Sequence, residues 1–315
     1  PYNLISREQK QDNIQIEFFV TLSLEKNSSL VKVDIELENR AIEHRVRVLF
    51  RTGIESVESI ADQQFGTIRR PVYLSEVENW RENGWNEKPR TIEPMQSFVS
   101  LANDHENVSI ITDCVREYQI TGEKFDTIAL TLFRSTPEMG KAELKDRPGR
   151  ASGMANWETP DANLLKNLKF NFAISIGKNE YSISKISNIS KEYLTPFYYY
   201  QAAEFKNVDI FFLMNKPEIQ DIPFDFSMFS SENGNCVLST VKKAEKDDAL
   251  IIRVYNPDDK KSTDFDIIYH YDIKNTSLVK FDEETVMDNV EFSFDGNKIN
   301  ISEVKTCQAL SIKVK

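Results

Sequence analysis

Residues 30–39 read LVKVDIELEN. Val31, Val33, Ile35 and Leu37 alternate with Lys32, Asp34, Glu36 and Glu38, so an extended chain puts the apolar side chains on one face and the charges on the other. That is the period of a strand with its front on a core and its back in water. A helix cannot keep this pattern on one face. The preceding stretch, IQIEFFVTLSLE at residues 14–25, alternates likewise with one slip at Phe18–Phe19, read as a β-bulge. The linker KNSS at residues 26–29 makes the two a hairpin, and HRVRVLFRT at residues 44–52 supplies a third strand.

Working outward, the same signal predicts strands at Ser97–Leu101, Val108–Thr112, Asp126–Arg134, Lys169–Ile176 and Val208–Met214. Others follow at Ala249–Asn256, Phe265–Tyr271, Val290–Asp295, Lys298–Ile301 and Ala309–Val314. The turn DGN at Asp295–Asn297 closes a hairpin, because Asp-Gly readily takes the backbone twist of a tight β-turn. Helical periodicity is nearly absent: ETPDANLLKNL at residues 158–168 offers Thr159 as an N-cap before Pro160, enough for one short turn. The chain therefore reads as all-β and mostly antiparallel, with no internal repeat. A large sandwich with long loops is expected over residues 1–215 and a turn-rich connector, with two prolines and no alternation, over 216–235. A smaller, immunoglobulin-like sandwich is expected over 236–315.

Bulk properties narrow the function. The 315 residues are 40% hydrophobic and 28% charged, an ordinary globular balance. With 39 Lys and Arg against 50 Asp and Glu, the net charge of −11 argues against nucleic acid or an anionic membrane as partner. Cys114, Cys236 and Cys307 are scattered and odd in number, which favours a reducing, cytoplasmic setting. No apolar run reaches membrane-span length and the N-terminus has no signal-peptide pattern.

Chemistry-bearing residues are sparse. His44, His105 and His270 share no metal-ligand spacing with one another or with a cysteine, so no metal site is expected in this chain. The stretch DRPGRASGMANWETPD at residues 146–161 brackets Pro-Gly with Arg147 and Arg150. It lacks the lysine and the long helix of a Walker-type loop. Its two guanidiniums could fork onto a carboxylate or phosphate. Equally, the loop could be a β corner with the arginines paired to nearby acids. Trp80 and Trp85, in ENWRENGWNEKP, could stack on sugar rings or cap the core beneath a long loop. Asp62, Glu76, Glu87, Glu93 and Asp161 are carboxylates in the same loops, but sequence spacing does not place two of them across a glycosidic bond.

Taken in order, RVRVLFRT, ADQQFGTIRRP, GWNEKPRTIEPMQSFVSL, IALTLFRS, GKAELKDRPGRASG and ETPDANLL resemble the C-terminal region of the family-38 glycoside hydrolases, the α-mannosidases. The likeness is greatest to the bacterial branch that includes mannosylglycerate hydrolases. It is most specific over Asp62–Leu165, and ALIIRVYNP resembles the small terminal β domain of the same enzymes. The resemblance implies a galactose-mutarotase-like super-sandwich followed by the smaller sandwich. It also implies a retaining, zinc-dependent α-mannosidase whose barrel and helical bundle lie outside this chain; a first residue that is Pro rather than Met agrees with such a portion. On that basis the chain is expected to be non-catalytic, packing on the barrel. Arg69, Arg70, Trp80, Trp85, Arg147, Arg150 and Asp161 are its candidates for docking or lining the substrate cleft. A patch left bare would drive self-association into a homo-oligomer. The alternative is an autonomous carbohydrate-binding module using Trp80 and Trp85.

Overall fold

The computed structural model describes residues 14–113, 115–140, 143–148, 157–178, 181–199 and 225–315. By contacts the chain divides into two compact units, Pro1–Ser190 with Pro257–Asp259, and Lys191–Asn256 with Lys260–Lys315.

The first unit contains β1 (Phe18–Leu24), β2 (Leu30–Glu38), β3 (Arg45–Arg51), β4 (Glu58–Gln63), β5 (Gly66–Pro71), β6 (Ile92–Pro94) and β7 (Phe98–Ala102). It continues with β8 (Glu106–Thr112), β9 (Glu117–Thr121), β10 (Thr127–Arg134), β11 (Glu143–Leu144), β12 (Arg147–Pro148) and β13 (Asn167–Lys178). Helix α1 (Glu76–Asn79) and a 3-10 turn at Pro160–Asn163 belong to it, as does α2 (Ile183–Leu194) as far as Ser190. Seven strands form one antiparallel sheet in the order β1-β2-β13-β8-β7-β4-β5, and four form another, β3-β10-β9-β6. Val33, Ile35, Leu37, Val99, Ile110 and Phe172 of the larger sheet share one buried core with Tyr118, Ile120, Ile128 and Leu130 of the smaller. The alternation in residues 30–39 is thus the inner face of a sandwich: Val33, Ile35 and Leu37 are each no more than 4% exposed.

Three expectations need correction. β1 begins at Phe18 and pairs with β2 in unbroken register from Phe18–Leu37 to Leu24–Val31, so the Phe18–Phe19 slip is a strand start and not a bulge. Between the strands expected at residues 44–52 and 97–101 lies a hairpin absent from the expected strands, β4–β5, closed by Gln63 opposite Gly66. Four consecutive residues of β4, from Ser59 to Asp62, are buried, so both its faces are covered and no alternation marks it. Finally, α2 is a full helix, and Ser182 Oγ caps it by accepting the Lys185 N–H at 3.2 Å. Its buried positions are Ile183, Ile186, Ser187 and Ser190. That i, i+3, i+4, i+7 stripe is half serine, which hides it from an apolar-period reading. The strand expected at Val208–Met214 lies outside the described residues.

The second unit holds β14 (Phe229–Ser230), β15 (Val237–Lys243), β16 (Leu250–Tyr255), β17 (Thr263–Tyr269), β18 (Thr276–Val279), β19 (Phe292–Asp295), β20 (Lys298–Val304) and β21 (Ala309–Val314). Its sheets, β14-β17-β20-β19 and β15-β16-β21-β18, enclose Phe265, Ile267, Ile299 and Ile301 from one and Ile252, Val254, Leu310 and Ile312 from the other. The DGN turn forms as expected: Asp295 pairs with Lys298, and Gly296 takes φ 61°, the left-handed region that glycine enters without steric cost.

Candidate functional site

Of the 146–161 stretch, the described part begins as a hairpin. β11 and β12 pair with Leu144 opposite Arg147, leaving Lys145 and Asp146 at the turn. The loop after α1 grips that turn. Arg81 Nη2 donates to Lys145 O at 3.2 Å, Lys88 N–H to Asp146 O at 2.8 Å, and Arg90 Nη1 to Asp146 Oδ2 at 3.2 Å. Arg147 Nε lies 2.9 Å from Glu87 Oε2 as an ion pair, though its N–H does not point along the contact. Arg147 therefore pairs with an acid of the neighbouring loop. Arg150 lies outside the described residues.

The tryptophans have different surroundings. Trp80 is 6% exposed, with the Arg81 guanidinium 4.8 Å from its ring centroid, while Trp85 is 44% exposed. Trp80 anchors the loop from below, so the two do not make one exposed stacking platform.

Arg69 and Arg70 are neighbours on β5 with separate partners. Arg69 Nη1 donates to Glu58 Oε1 at 2.7 Å and its Nε to Asp259 Oδ2 at 3.0 Å. Arg70 pairs through Nε with Glu93 Oε2 at 3.0 Å and donates from Nη1 to Pro94 O at 3.1 Å and Tyr118 Oη at 3.2 Å. Asp161 is exposed on the 3-10 turn, where its carbonyl accepts the Leu164 N–H at 3.1 Å.

Beside the hairpin runs a groove of about 1030 Å³. Leu144 and Asp146 form one wall, and Arg90, Glu93 and Pro94 another. Arg45, Arg116, Glu117 and Arg134 come from or next to the four-stranded sheet. Arg70 meets this groove through Glu93, whereas Arg69 and Trp80 are not among its lining residues. The guanidiniums are held by acceptors. Arg134 donates to both carboxylate oxygens of Glu117, and Arg45 Nη1 stands 3.9 Å from Glu117 Oε1. Arg116 donates to the carbonyls of Gln96 and Asp113. Burial first, then the nearby charges of Arg47 and Arg134, push the Arg45 pKa down. Four arginines in the lining are matched by Glu43, Glu93, Glu117, Glu138 and Asp146. Donors and acceptors paired in this way suit a neutral, hydroxyl-rich ligand or a polar protein surface better than a multiply charged anion.

The sequence reading missed what fixes the far wall. The segment after β10 pairs with the start of the 157–166 stretch: Met139 N–H donates to Trp157 O at 2.9 Å and Thr159 N–H to Pro137 O at 2.8 Å. A buried clip of Asn39, Ser135 and Asn163 holds both. Asn39 Nδ2 donates to Asn163 O and Leu164 O, Ser135 Oγ to Asn163 Oδ1, and Glu43 N–H to Ser135 Oγ. The only sequence signal of Asn39 and Ser135 is a polar residue just past a strand end, and Asn163 closes the 3-10 turn. The arginines of β3 were visible as the outward half of RVRVLFR.

Among the described residues no three His, Cys, Asp or Glu side chains gather into a group able to hold a metal ion. They offer no donor set for the zinc that the resemblance implies, and no chemistry here is routed through it. Nor is any helix among them long and apolar enough to cross a membrane.

Residues 5–138 match the family described as the glycosyl hydrolases family 38 C-terminal domain, and residues 235–314 the family 38 C-terminal beta sandwich domain. A Halalkalibacterium halodurans protein provisionally named a mannosylglycerate hydrolase is 24% identical over 284 residues, 88% of this chain and 28% of its own length. Two solved Enterococcus faecalis structures share the fold. An α-mannosidase superposes with TM-score 0.76 at 17% identity, covering 99% of this chain and 30% of that one. A family 38 glycosyl hydrolase superposes with TM-score 0.72 at 16% identity, covering 98% and 30%. The chain thus spans under a third of the length of each of these relatives.

Proposed function

Because this chain belongs to glycoside hydrolase family 38, as a C-terminal β region of that family, we propose that it is the non-catalytic part of a longer retaining, metal-dependent α-mannosidase. In this reading it packs on the catalytic barrel and shapes the cleft in which an α-mannoside or mannosylglycerate-type glycoside is cleaved. The β11–β12 hairpin and its groove stand at the edge of that cleft, zinc belongs to the barrel, and the setting is cytoplasmic.

The observation that carries the docking role is the inner row of β1. Phe18, Val20, Leu22 and Leu24 stand opposite Leu37, Ile35, Val33 and Val31, on the face that forms the sandwich core. Yet they are 46%, 55%, 66% and 69% exposed. A core-facing apolar row left this open among the described residues marks a contact surface for another body. Leu22→Lys in the longer enzyme tests it: lower thermal stability and lower kcat/KM are expected, and an unchanged enzyme would count against the docking role. The alternative of an autonomous carbohydrate-binding module loses its main support, because Trp80 is buried.

A further inference from the structure

The outer face of the seven-stranded sheet, the one turned away from the sandwich core, carries an unusual set of buried side chains where β4, β7 and β8 run together. Ala61, Val99, Leu101 and Ile110 point into the core, so the alternate positions Ile60, Asp62, Phe98, Ser100, Ser109 and Ile111 point outward. All six are buried, Asp62 at 8% exposure and both serines at 0%.

Hydroxyl groups tie this face to α2 and the residue before its cap. Ser190 Oγ, from the last part of α2, donates to Ser97 Oγ at 2.9 Å, and Ser97 Oγ donates to Asp62 Oδ2. Tyr181 Oη donates to Ser100 Oγ at 2.8 Å, and Ser100 and Ser109 share a hydrogen bond of 2.7 Å. The apolar contribution of α2 to its buried stripe is only Ile183 and Ile186, and Ser187 Oγ is buried with no hydrogen bond among the described residues. Such an orphan hydroxyl weakens the seat.

We propose that the Asp62–Ser97–Ser190 relay is a proton-controlled latch holding α2 on the outer face of the sheet. The protonated carboxyl is at home in this dry layer, whereas the carboxylate gains by meeting water, which reaches it more fully when α2 lifts. The charged groups around Asp62 do not cancel this. Burial has the largest effect and pushes its pKa to about 6, against the opposing pull of the Ser97 hydroxyl and N–H, then of Arg116 from the loop before β9 and of the Gln63 N–H. Arg69 of β5 acts on Tyr181, whose hydroxyl burial drives far above its usual range, so it stays a neutral donor. Lys185, Lys191 and Glu192 lie on the exposed side of α2. A raised pKa in the closed state means that the latch is firmest at low pH. It loosens as pH rises from the ordinary carboxyl value of 3.8 through about 6, and changes little beyond. The device acts where the first compact unit ends, at Ser190.

Hydrogen exchange of the 181–194 peptide, corrected for intrinsic rates and referenced to β7 and β8, reads the latch directly. If lifting α2 returns Asp62 to its ordinary pKa, the opening equilibrium rises roughly tenfold between pH 5 and pH 7.5. Asp62→Asn, whose amide oxygen still accepts from Ser97, is expected to make opening independent of pH. Ser190→Ala is expected to raise opening at every pH while leaving Asp62 and its pH dependence in place. The wild-type profile alone decides if Asp62→Asn does not fold. Opening that ignores pH in the wild type, or that keeps its pH dependence in Asp62→Asn, overturns the proposal.

Discussion

Asn39 holds Asn163 across 124 residues of sequence, its Nδ2 donating to the Asn163 carbonyl at 2.9 Å and on to that of Leu164 at 3.0 Å. Both asparagines are buried. Asn39→Ala would strand two carbonyls and remove the donor, a cost of about 2 kcal/mol. Urea unfolding of the variant against wild type measures it. A change below a few tenths would mean the clip does not hold the wall.

The Arg147–Glu87 pair carries a different expectation. Its side chains are 23% and 49% exposed, so solvent screens much of their attraction. Arg147→Ala is expected to change stability by less than about 1 kcal/mol. In the longer enzyme the same substitution should lower kcat/KM, because the hairpin loses a tie to the loop after α1. Large destabilisation with intact activity would make the hairpin a plain β corner.

How much of this could be read from the sequence depends on what each face touches. β2 and β3 announce themselves because one side meets water. β4 does not, since its two sides meet the core and the layer under α2. The stripe of α2 is written in serine as much as isoleucine, and one of the two acids that pair with Arg69, Asp259, is far along the chain. Trp80 and Trp85 look alike in sequence, and only packing separates anchor from exposed ring. The groove was illegible for the same reason: its walls come from five separate stretches, and their pairing is a property of the folded sheet.

β1 should make the isolated chain self-associate through Phe18, Val20, Leu22 and Leu24. Sedimentation velocity is expected to show a concentration-dependent species that Val20→Lys suppresses without changing the melting temperature. Monomeric behaviour at all concentrations would contradict an open docking row.

Stability should also fall in acid, through the second unit. The Lys315 ammonium at 2.6 Å, with help from Lys313 and the Ala249 N–H, holds Asp247 down at about 2. The Thr285 hydroxyl and the backbone N–H groups of Glu284 and Thr285 do the same for Asp282. A depressed pKa contributes stability above the ordinary value of 3.8 that is lost as pH falls towards 2. This is opposite in sign to Asp62. Thermal melts from pH 5 down to pH 2 should show the loss, and Asp247→Asn should flatten part of it. An identical acid profile in the variant would remove Asp247 from the account.

The central claim, that this β region supports catalysis without performing it, is tested most directly by assaying the chain alone on aryl α-mannosides, with and without added zinc. No turnover above background is expected under either condition, while the longer enzyme hydrolyses the same substrates. Hydrolysis by the isolated chain in proportion to its concentration would contradict the claim.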